Sequence, residues 1–363
     1  MKNYAIKLFS PSFNNKEINA AVKTLKSHNW ASGAGLGKVL EFENNFRKYT
    51  HSRECVAVDS GTAALHLALK ILDINEKEVL VPSLTFVTTV HSILYNGGIP
   101  IFVDVDPDTL CLDPADIETK ITKNTKAIVP VHFGGYPCDM NKIINISKER
   151  DVHIIEDAAH ACGSSYNSKK IGAISELTCF SFHPVKNLSM PKGGAITINS
   201  RNSHTLRKKL NSLRWCGIDN RKGTSYDVTS LGYNYYSDEI SAAIGIEQLK
   251  KLDSLNLKRF HIAQRYDSEL KTSEKIPLSK ECSYHLYWIR VKNRNQFIKK
   301  INSHGIEIGL HYRPVHSMSF YNSKISLPNT EKSANEIVTI PVHPNLTDHD
   351  VDFIIKTVNL LSK

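Results

Sequence analysis

The sequence predicts an α/β protein: a large domain with a mostly parallel sheet flanked by helices, followed by a smaller C-terminal α/β domain. Two observations predict it. From residue 54 to residue 199, strand-length runs rich in Val and Ile alternate with segments of helical period. Such alternation requires right-handed crossovers that lay helices on both faces of a parallel sheet. The length, 363 residues, suffices for one large domain and a second, smaller one. In this architecture chemistry collects at the carboxyl ends of the strands.

ECVAVDS (54–60) reads as the first strand, and GTAALHLALKIL as the helix that follows it. EVLVPS (78–83) and TFVTTVHSILYN repeat the pair. IPIFVDV (99–105) leads through a turn at Pro107 into the helical PADIETKI, while KAIVPVHF (126–133) and DVHIIEDAAH (151–160) flank the helical DMNKIINISKER. TCFSF (178–182) and GGAITIN (193–199) complete the strands. A helix near 203–213 opens into a polar, glycine-containing loop, and two helical stretches at 237–255 and 257–272 follow. From about residue 273 the chain reads as a small α/β unit, with YHLYWIRV (284–291) as a strand and TDHDVDFIIKTVNLL as the closing helix. The domains are placed at 1–255 and 256–363.

Composition excludes several classes. With 41% hydrophobic and 23% charged residues, the chain is unlike a disordered one. Its start, MKNYAIKLFSPSFNNKE, lacks the apolar core of a signal peptide, and no apolar run is long enough to span a bilayer, so a cytoplasmic protein with no membrane partner is expected. Seven cysteines with no C-x-x-C pair read as buried small side chains in a reducing compartment. A zinc site of His160, Cys162, Cys179 and His183 matches no metal spacing, and no metal is expected. The 46 Lys and Arg against 36 Asp and Glu leave a net charge of +10. These residues are dispersed, without a basic tail, zinc-finger or basic-zipper pattern, so no nucleic-acid partner is expected; a phosphorylated small molecule suits the charge.

Three motifs then stand out. In DSGTAALHLAL, Ser60 is a natural N-cap and Gly61 allows close backbone approach, which makes this helix start an anion site; a capped turn of this kind is as often structural. Asp157, in IIEDAAH, ends an apolar run, where a carboxylate needs a cation or several donors; a helix cap or a bound metal are the alternatives. His160 by itself reads as a satisfied core histidine. Lys186, in SFHPVKNLSMPKGG, lies just past a strand and before a glycine pair, at the same edge as the other two. An amine there can form an imine with an aldehyde cofactor and carry protons between carbon atoms, provided that desolvation and neighbouring cationic character lower its pKa. Phosphate cradle, carboxylate and lysine together describe a pyridoxal phosphate site.

These residues carry a resemblance. GLGKVLEFENNF (35–46), SGTAALHLAL (60–69), VPSLTFVTTVHSILYNGGIPIFVDVD (81–106), IIEDAAHACGSSY (154–166), SFHPVKNL (181–188), GYNYYSDEISAAIG (232–245), HYRPVH (311–316) and IPVHPNLTD (340–348) resemble, in order and over essentially the whole chain, the DegT/StrS-type sugar aminotransferases, pyridoxal-phosphate enzymes of fold type I. The resemblance implies that Lys186 holds pyridoxal 5′-phosphate as a covalent aldimine and then serves as acid and base of the 1,3-proton shift. It implies that Asp157 pairs with the pyridine nitrogen and that Gly61, Thr62 and Ser181 bind the phosphate. Phe86 would stack on the ring, and His160 would contact the cofactor edge. Asn234 would reach the phosphate from the other subunit of a homodimer with a shared active site, and His311 and Tyr312 would shape the substrate side of the pocket, as would the second histidine of HYRPVH.

The implied reaction takes nitrogen from an amino acid, L-glutamate by resemblance, and gives it to a keto-deoxysugar on a nucleoside diphosphate, for amino-sugar and polysaccharide biosynthesis. An aminotransferase acting on a non-nucleotide ketone such as a keto-inositol is the alternative. Sugar dehydratases of the family carry histidine in place of the lysine, and a silent regulator would leave Lys186 and Asp157 unexplained. Two departures touch the surroundings: Lys192 stands where many members have an acidic residue before the glycine pair, and Cys216 where many have histidine.

Overall fold

A computed structural model describes residues 4–272, 274–321 and 323–362. Helices α1 (Asn15–Lys26) and α2 (Lys38–Thr50) precede strand β1 (Glu54–Val58). The chain then alternates through α3 (Gly61–Leu72), β2 (Glu78–Pro82), α4 (Val87–Leu94), β3 (Ile99–Val103), α5 (Pro114–Lys120), β4 (Thr125–Ile128), α6 (Met140–Arg150) and β5 (His153–Asp157). A short hairpin of β6 (Ser165–Tyr166) and β7 (Lys169–Lys170) leads into β8 (Leu177–Ser181) and β9 (Gly194–Ile198). Seven of these strands form one sheet in the order β1-β9-β8-β5-β4-β2-β3.

All neighbours in it are parallel except that β9 runs antiparallel to both β1 and β8. Two antiparallel pairings restore direction, so β1, β8 and β5 point the same way and their carboxyl ends share one edge. The interior strands are apolar on both faces because helices cover both, as the near-complete burial of β4, β8 and β9 attests. The expected strands are present: the run at 178–182 keeps its length, and the others are one to five residues shorter than their apolar runs.

Beyond the sheet, α7 (Ser203–Arg214) is followed not by a loop but by an exposed hairpin, β10 (Ile218–Lys222) with β11 (Ser225–Val228), turning at Gly223. The two expected helical stretches are a single helix, α8 (Glu239–Glu269), capped at its start by Asp238, whose side chain accepts the Ser241 amide at 2.7 Å. No proline interrupts it, and its apolar side chains pack continuously against α1 and α2 and then against the C-terminal unit. The boundary expected at residue 255 therefore falls inside a helix.

The C-terminal unit comprises β12 (Tyr287–Arg290), α9 (Arg294–Ser303), α10 (Pro328–Glu336), β13 (Ile337–Ile340) and α11 (Asp348–Leu361), with β12 and β13 antiparallel. It shares one core with a face of the large sheet, where Leu80, Val103 and Ile128 meet Trp288, Ile289 and Ile354. Asp104 pins it electrostatically, its carboxylate accepting the amides of Asn329 and Thr330 at the start of α10 at 3.0 and 2.7 Å. Among the described residues no helix is long and apolar enough to cross a membrane.

Candidate active site

The start of α3 abuts the end of β8. Ser60 is extended, and its Oγ accepts the Ala63 amide at 3.2 Å while donating to Asp59 Oδ1 at 2.9 Å. The other first-turn amides, those of Gly61 and Thr62, have no partner within the helix. A Cβ on Gly61 would lie 2.8 Å from Ser181 Cβ, and one on Gly194 would lie 2.4 Å from the Ser60 carbonyl oxygen. Gly194, the second of the glycine pair after Lys186, is therefore what lets β9 and α3 meet. Lys192 Nζ lies 2.7 Å from Asp59 Oδ2, so the residue that departs from the family pattern neutralises a carboxylate directly before this helix start.

Asp157 closes β5 and is buried. Its Oδ2 accepts from Thr89 Oγ1 at 2.8 Å and its Oδ1 from the Ala159 amide at 3.1 Å; Thr89 is itself linked to Thr85 at 2.8 Å. Burial raises its pKa above the ordinary carboxylate value, opposed by the Ala159 and Thr89 donors and by the charge of Lys186. The preceding residue points to the other face of the sheet, as strand geometry requires. There Glu156 meets His132 at 2.9 Å and accepts from Thr178 Oγ1 at 2.9 Å and from the Ser175 hydroxyl. Burial pushes Glu156 upward, but His132 and the two hydroxyls outweigh it and hold the carboxyl below its usual value.

Lys186 sits in the turn after β8, its amide donating to the His183 carbonyl at 2.8 Å. Asn187 ties that turn to α8 and to the C-terminal unit, donating to Asn256 Oδ1 and to the Ser283 carbonyl, both at 2.8 Å. The lysine side chain is half-buried, and enough protein surrounds the amine that burial lowers its pKa to about 8, with Asp157 opposing the shift. Of the two causes expected, desolvation produces the shift and neighbouring cationic character does not: the charge that acts on the amine is that of Asp157, and it opposes the shift.

Facing the lysine is a wall of neutral side chains. His160 Nδ1 accepts the Gly134 amide at 3.3 Å, so Nε2 carries the proton and donates to Tyr312 Oη at 3.1 Å. Burial, with the charge of Lys186 next, holds His160 and His285 well below the usual histidine range, and pushes His311 down to about 4. Burial also raises the Tyr312 phenol, so it remains protonated. His285 Nε2 lies 3.4 Å from Lys186 Nζ.

The predicted residues do not all converge. Lys186, Asp157, His160, His311 and Tyr312 do, and Gly61 and Thr62 form the adjoining helix start, with Ser181 at the end of β8 against it. Phe86, at the N-cap of α4, is 54% exposed with its ring 6.0 Å from that of Tyr312. His316 does not line the pocket: it is buried, with Nδ1 hydrogen-bonded to Ser83 Oγ at 2.7 Å. Asn234 is exposed, bridged to Trp215, and no hydrogen bond joins its side chain to the other predicted residues among the described ones. Its neighbour Tyr235 accepts the Asp59 amide at 2.8 Å, which places this segment beside the α3 start. Six cysteines are buried as expected, whereas Cys216 is exposed in a left-handed turn with φ 57°. Thr89 and His285 were missed: a threonine in TFVTTV carries no signal, but a histidine inside the apolar YHLYWIRV does.

Comparison with known proteins decides the lineage. The model of the DegT/DnrJ/EryC1/StrS aminotransferase family matches residues 11–359. The chain belongs to that family. It is 35% identical to the uncharacterized protein MJ1066 of Methanocaldococcus jannaschii over 96% of each chain. Among solved structures it is similar to Spr1654 of Streptococcus pneumoniae, described as a sugar aminotransferase, at 31% identity and TM-score 0.94, covering 99% of this chain and 98% of that one. Helicobacter pylori PseC, an aminotransferase involved in the biosynthesis of pseudoaminic acid, is 26% identical with TM-score 0.93 over 99% of each chain. Spr1654 is known in pyridoxal phosphate and pyridoxamine phosphate forms, and the family uses this cofactor.

The residues present fit that group. The helix start has the free amides and the missing Cβ that a phosphate needs, and the buried carboxylate and the lysine stand on the same sheet edge.

Proposed function

We propose that the protein is a pyridoxal-phosphate-dependent aminotransferase that takes nitrogen from an amino acid, L-glutamate, and gives it to a keto-deoxysugar carried on a nucleoside diphosphate. The observation that carries this reading is one sheet edge bearing the amine of Lys186, the carboxylate of Asp157 and the α3 start. When bound, pyridoxal phosphate supplies an electron sink for the carbon that loses its proton.

The protein's residues do the rest. Gly61, Thr62 and Ser181 bind the phosphate through the amides and hydroxyls at the head of α3. Asp157, which accepts two hydrogen bonds inside a buried site, would pair with the pyridine nitrogen and keep a proton on it. Thr89 orients that carboxylate. Phe86 would cover one face of the ring, and His160, fixed by Gly134 and Tyr312, would meet its edge. Lys186 would hold the cofactor covalently, and its amine would move the proton between the two carbon positions. With a pKa of about 8, about a tenth of its free amine is neutral at pH 7, so it can act as base and, once charged, as acid. His311 and Tyr312 shape the sugar side. Asn234, exposed in one protomer, reaches the phosphate of the other in a homodimer with a shared site. The setting is cytoplasmic amino-sugar biosynthesis for polysaccharides, with the chain divided near residue 255.

Visible absorbance tests this. The cofactor-loaded protein should show a band that shifts on addition of L-glutamate and returns on addition of a keto-sugar nucleotide. A shift with glutamate that only keto-inositol reverses would move the acceptor to non-nucleotide ketones. Failure to take up pyridoxal phosphate would overturn the whole reading.

A further inference from the structure

His285 enters the site from the C-terminal unit, on the segment leading into β12, and its place is tightly determined. Leu286 donates its amide to the Gly134 carbonyl at 3.1 Å and Ser283 donates to the Gly135 carbonyl at 3.3 Å, while Ser283 Oγ holds the His160 carbonyl at 3.0 Å. The ring lies stacked on Phe9, with centroids 5.5 Å apart and planes 16° apart, and the His160 ring packs against it at 4.5 Å. Two flanking rings confine it, and Nε2 lies 3.4 Å from Lys186 Nζ.

Neither atom has another partner among the described residues, and Nδ1 of this ring is buried with none at all. A buried unpartnered ring nitrogen is unfavourable and calls for an explanation. A neutral imidazole carries one proton. With that proton on Nδ1, Nε2 is a lone-pair acceptor, and a lysine ammonium has three N–H donors and no lone pair. The only arrangement that satisfies the lysine in its charged state therefore leaves Nδ1–H orphaned, as observed.

We infer that His285 is a positioning residue for the proton shift: it accepts one N–H of Lys186 in both protonation states, and so aims the remaining directions of the amine, including its lone pair, into the site. No bond is made or broken by His285, and the proton moved remains that of the lysine. A neutral acceptor suits this task because it holds the ammonium without adding a charge that would oppose its release. The inference rests on the lysine role proposed above, and concerns how that role is supported.

The test uses full-length protein freed of cofactor. The rate at which trinitrobenzenesulfonate modifies Lys186, followed on its peptide by mass spectrometry, is measured from pH 6 to 10 in the wild type, His285→Phe and His285→Gln. Phenylalanine keeps a ring between Phe9 and His160 but offers no acceptor; glutamine returns an oxygen near the place of Nε2. The other groups facing the pair are Asp157 from the end of β5, His160 from the turn after it, His183 from the β8 turn, His311 and Tyr312 from the segment before α10, and Arg259 from α8. Burial keeps the histidines uncharged and the phenol protonated across most of this range, so the titration followed is that of the lysine.

The wild-type midpoint should lie near pH 8, fall by about one unit in His285→Phe, because the ammonium has lost its acceptor, and return in His285→Gln. In loaded protein the same Phe variant should lose about tenfold in kcat for the donor half-reaction with KM unchanged. Superposable wild-type and Phe profiles, or a Gln profile displaced as far as that of Phe, would overturn the inference. If His285→Phe does not fold, His285→Leu carries the same expectation. A wild type that takes up no pyridoxal phosphate, yet shows the shift in labelling, would sink the transaminase reading and leave the hold of His285 on Lys186 standing.

Discussion

The two walls of the site are built from different parts of the chain and by different physics. The sheet-edge wall, formed by the ends of β1, β5 and β8, carries the charges: Asp157, Lys186 and the amide-bearing start of α3. The opposing wall, drawn largely from residues 283–312 and from His160, carries ring after ring and no charge, because burial keeps its histidines unprotonated. Charge sits where a rigid backbone can surround it with donors, as the Thr89 hydroxyl and Ala159 amide do for Asp157. The neutral wall desolvates those charges without competing with them. That is why Lys186 titrates near pH 8 although only an anion lies beside it.

Removing the central charge tests the division most severely. Lys186→Ala should lower the single-turnover rate with an amino-acid donor by about 10⁴-fold while the fold persists by circular dichroism. A loss below about tenfold would transfer the acid–base work to the histidine wall and break the comparison. A smaller effect should follow from Thr89→Val, which strips one donor from Asp157. With less to favour the carboxylate, its pKa rises further, so the acid limb of the activity profile should move to higher pH and the rate at neutral pH fall by about tenfold. An unchanged acid limb would mean that Thr89 merely packs. The smallest effect concerns the edge of the charged wall. Lys192→Glu sets a carboxylate against Asp59, just before the α3 start, and should weaken retention of pyridoxal phosphate two- to fivefold, less in high salt, as the exposure of this pair dictates. Equilibrium dialysis at two salt concentrations measures it.

Legibility in the sequence differed between the walls in the same way. Asp157 ends a strand and Ser60, Gly61 and Lys186 follow one, at spacings that local pattern reveals, so parallel topology alone places them on one edge. The pairing of Lys192 with Asp59 spans 133 positions, and no local signal announces it. The β10–β11 hairpin escaped notice because its strands, IDNRK and SYDV, are polar and exposed and show no apolar alternation. The continuity of α8 escaped for the opposite reason: the face that its apolar residues cover changes from α1 and α2 to the C-terminal unit, so no single periodicity runs through it.

What the amino-acid sequence determined by itself is therefore the alternation that makes a parallel sheet, the cap at Ser60, and the strand-end positions of Asp157 and Lys186, all consequences of local period and backbone chemistry. Only the tertiary structure decided the lysine pKa, the donors that reach Asp157, the tautomer of His160 and the approach of His285 to the amine. Each of these depends on how deeply a group is buried and on what lies across from it, and both are set by segments that meet only after the chain has closed on itself.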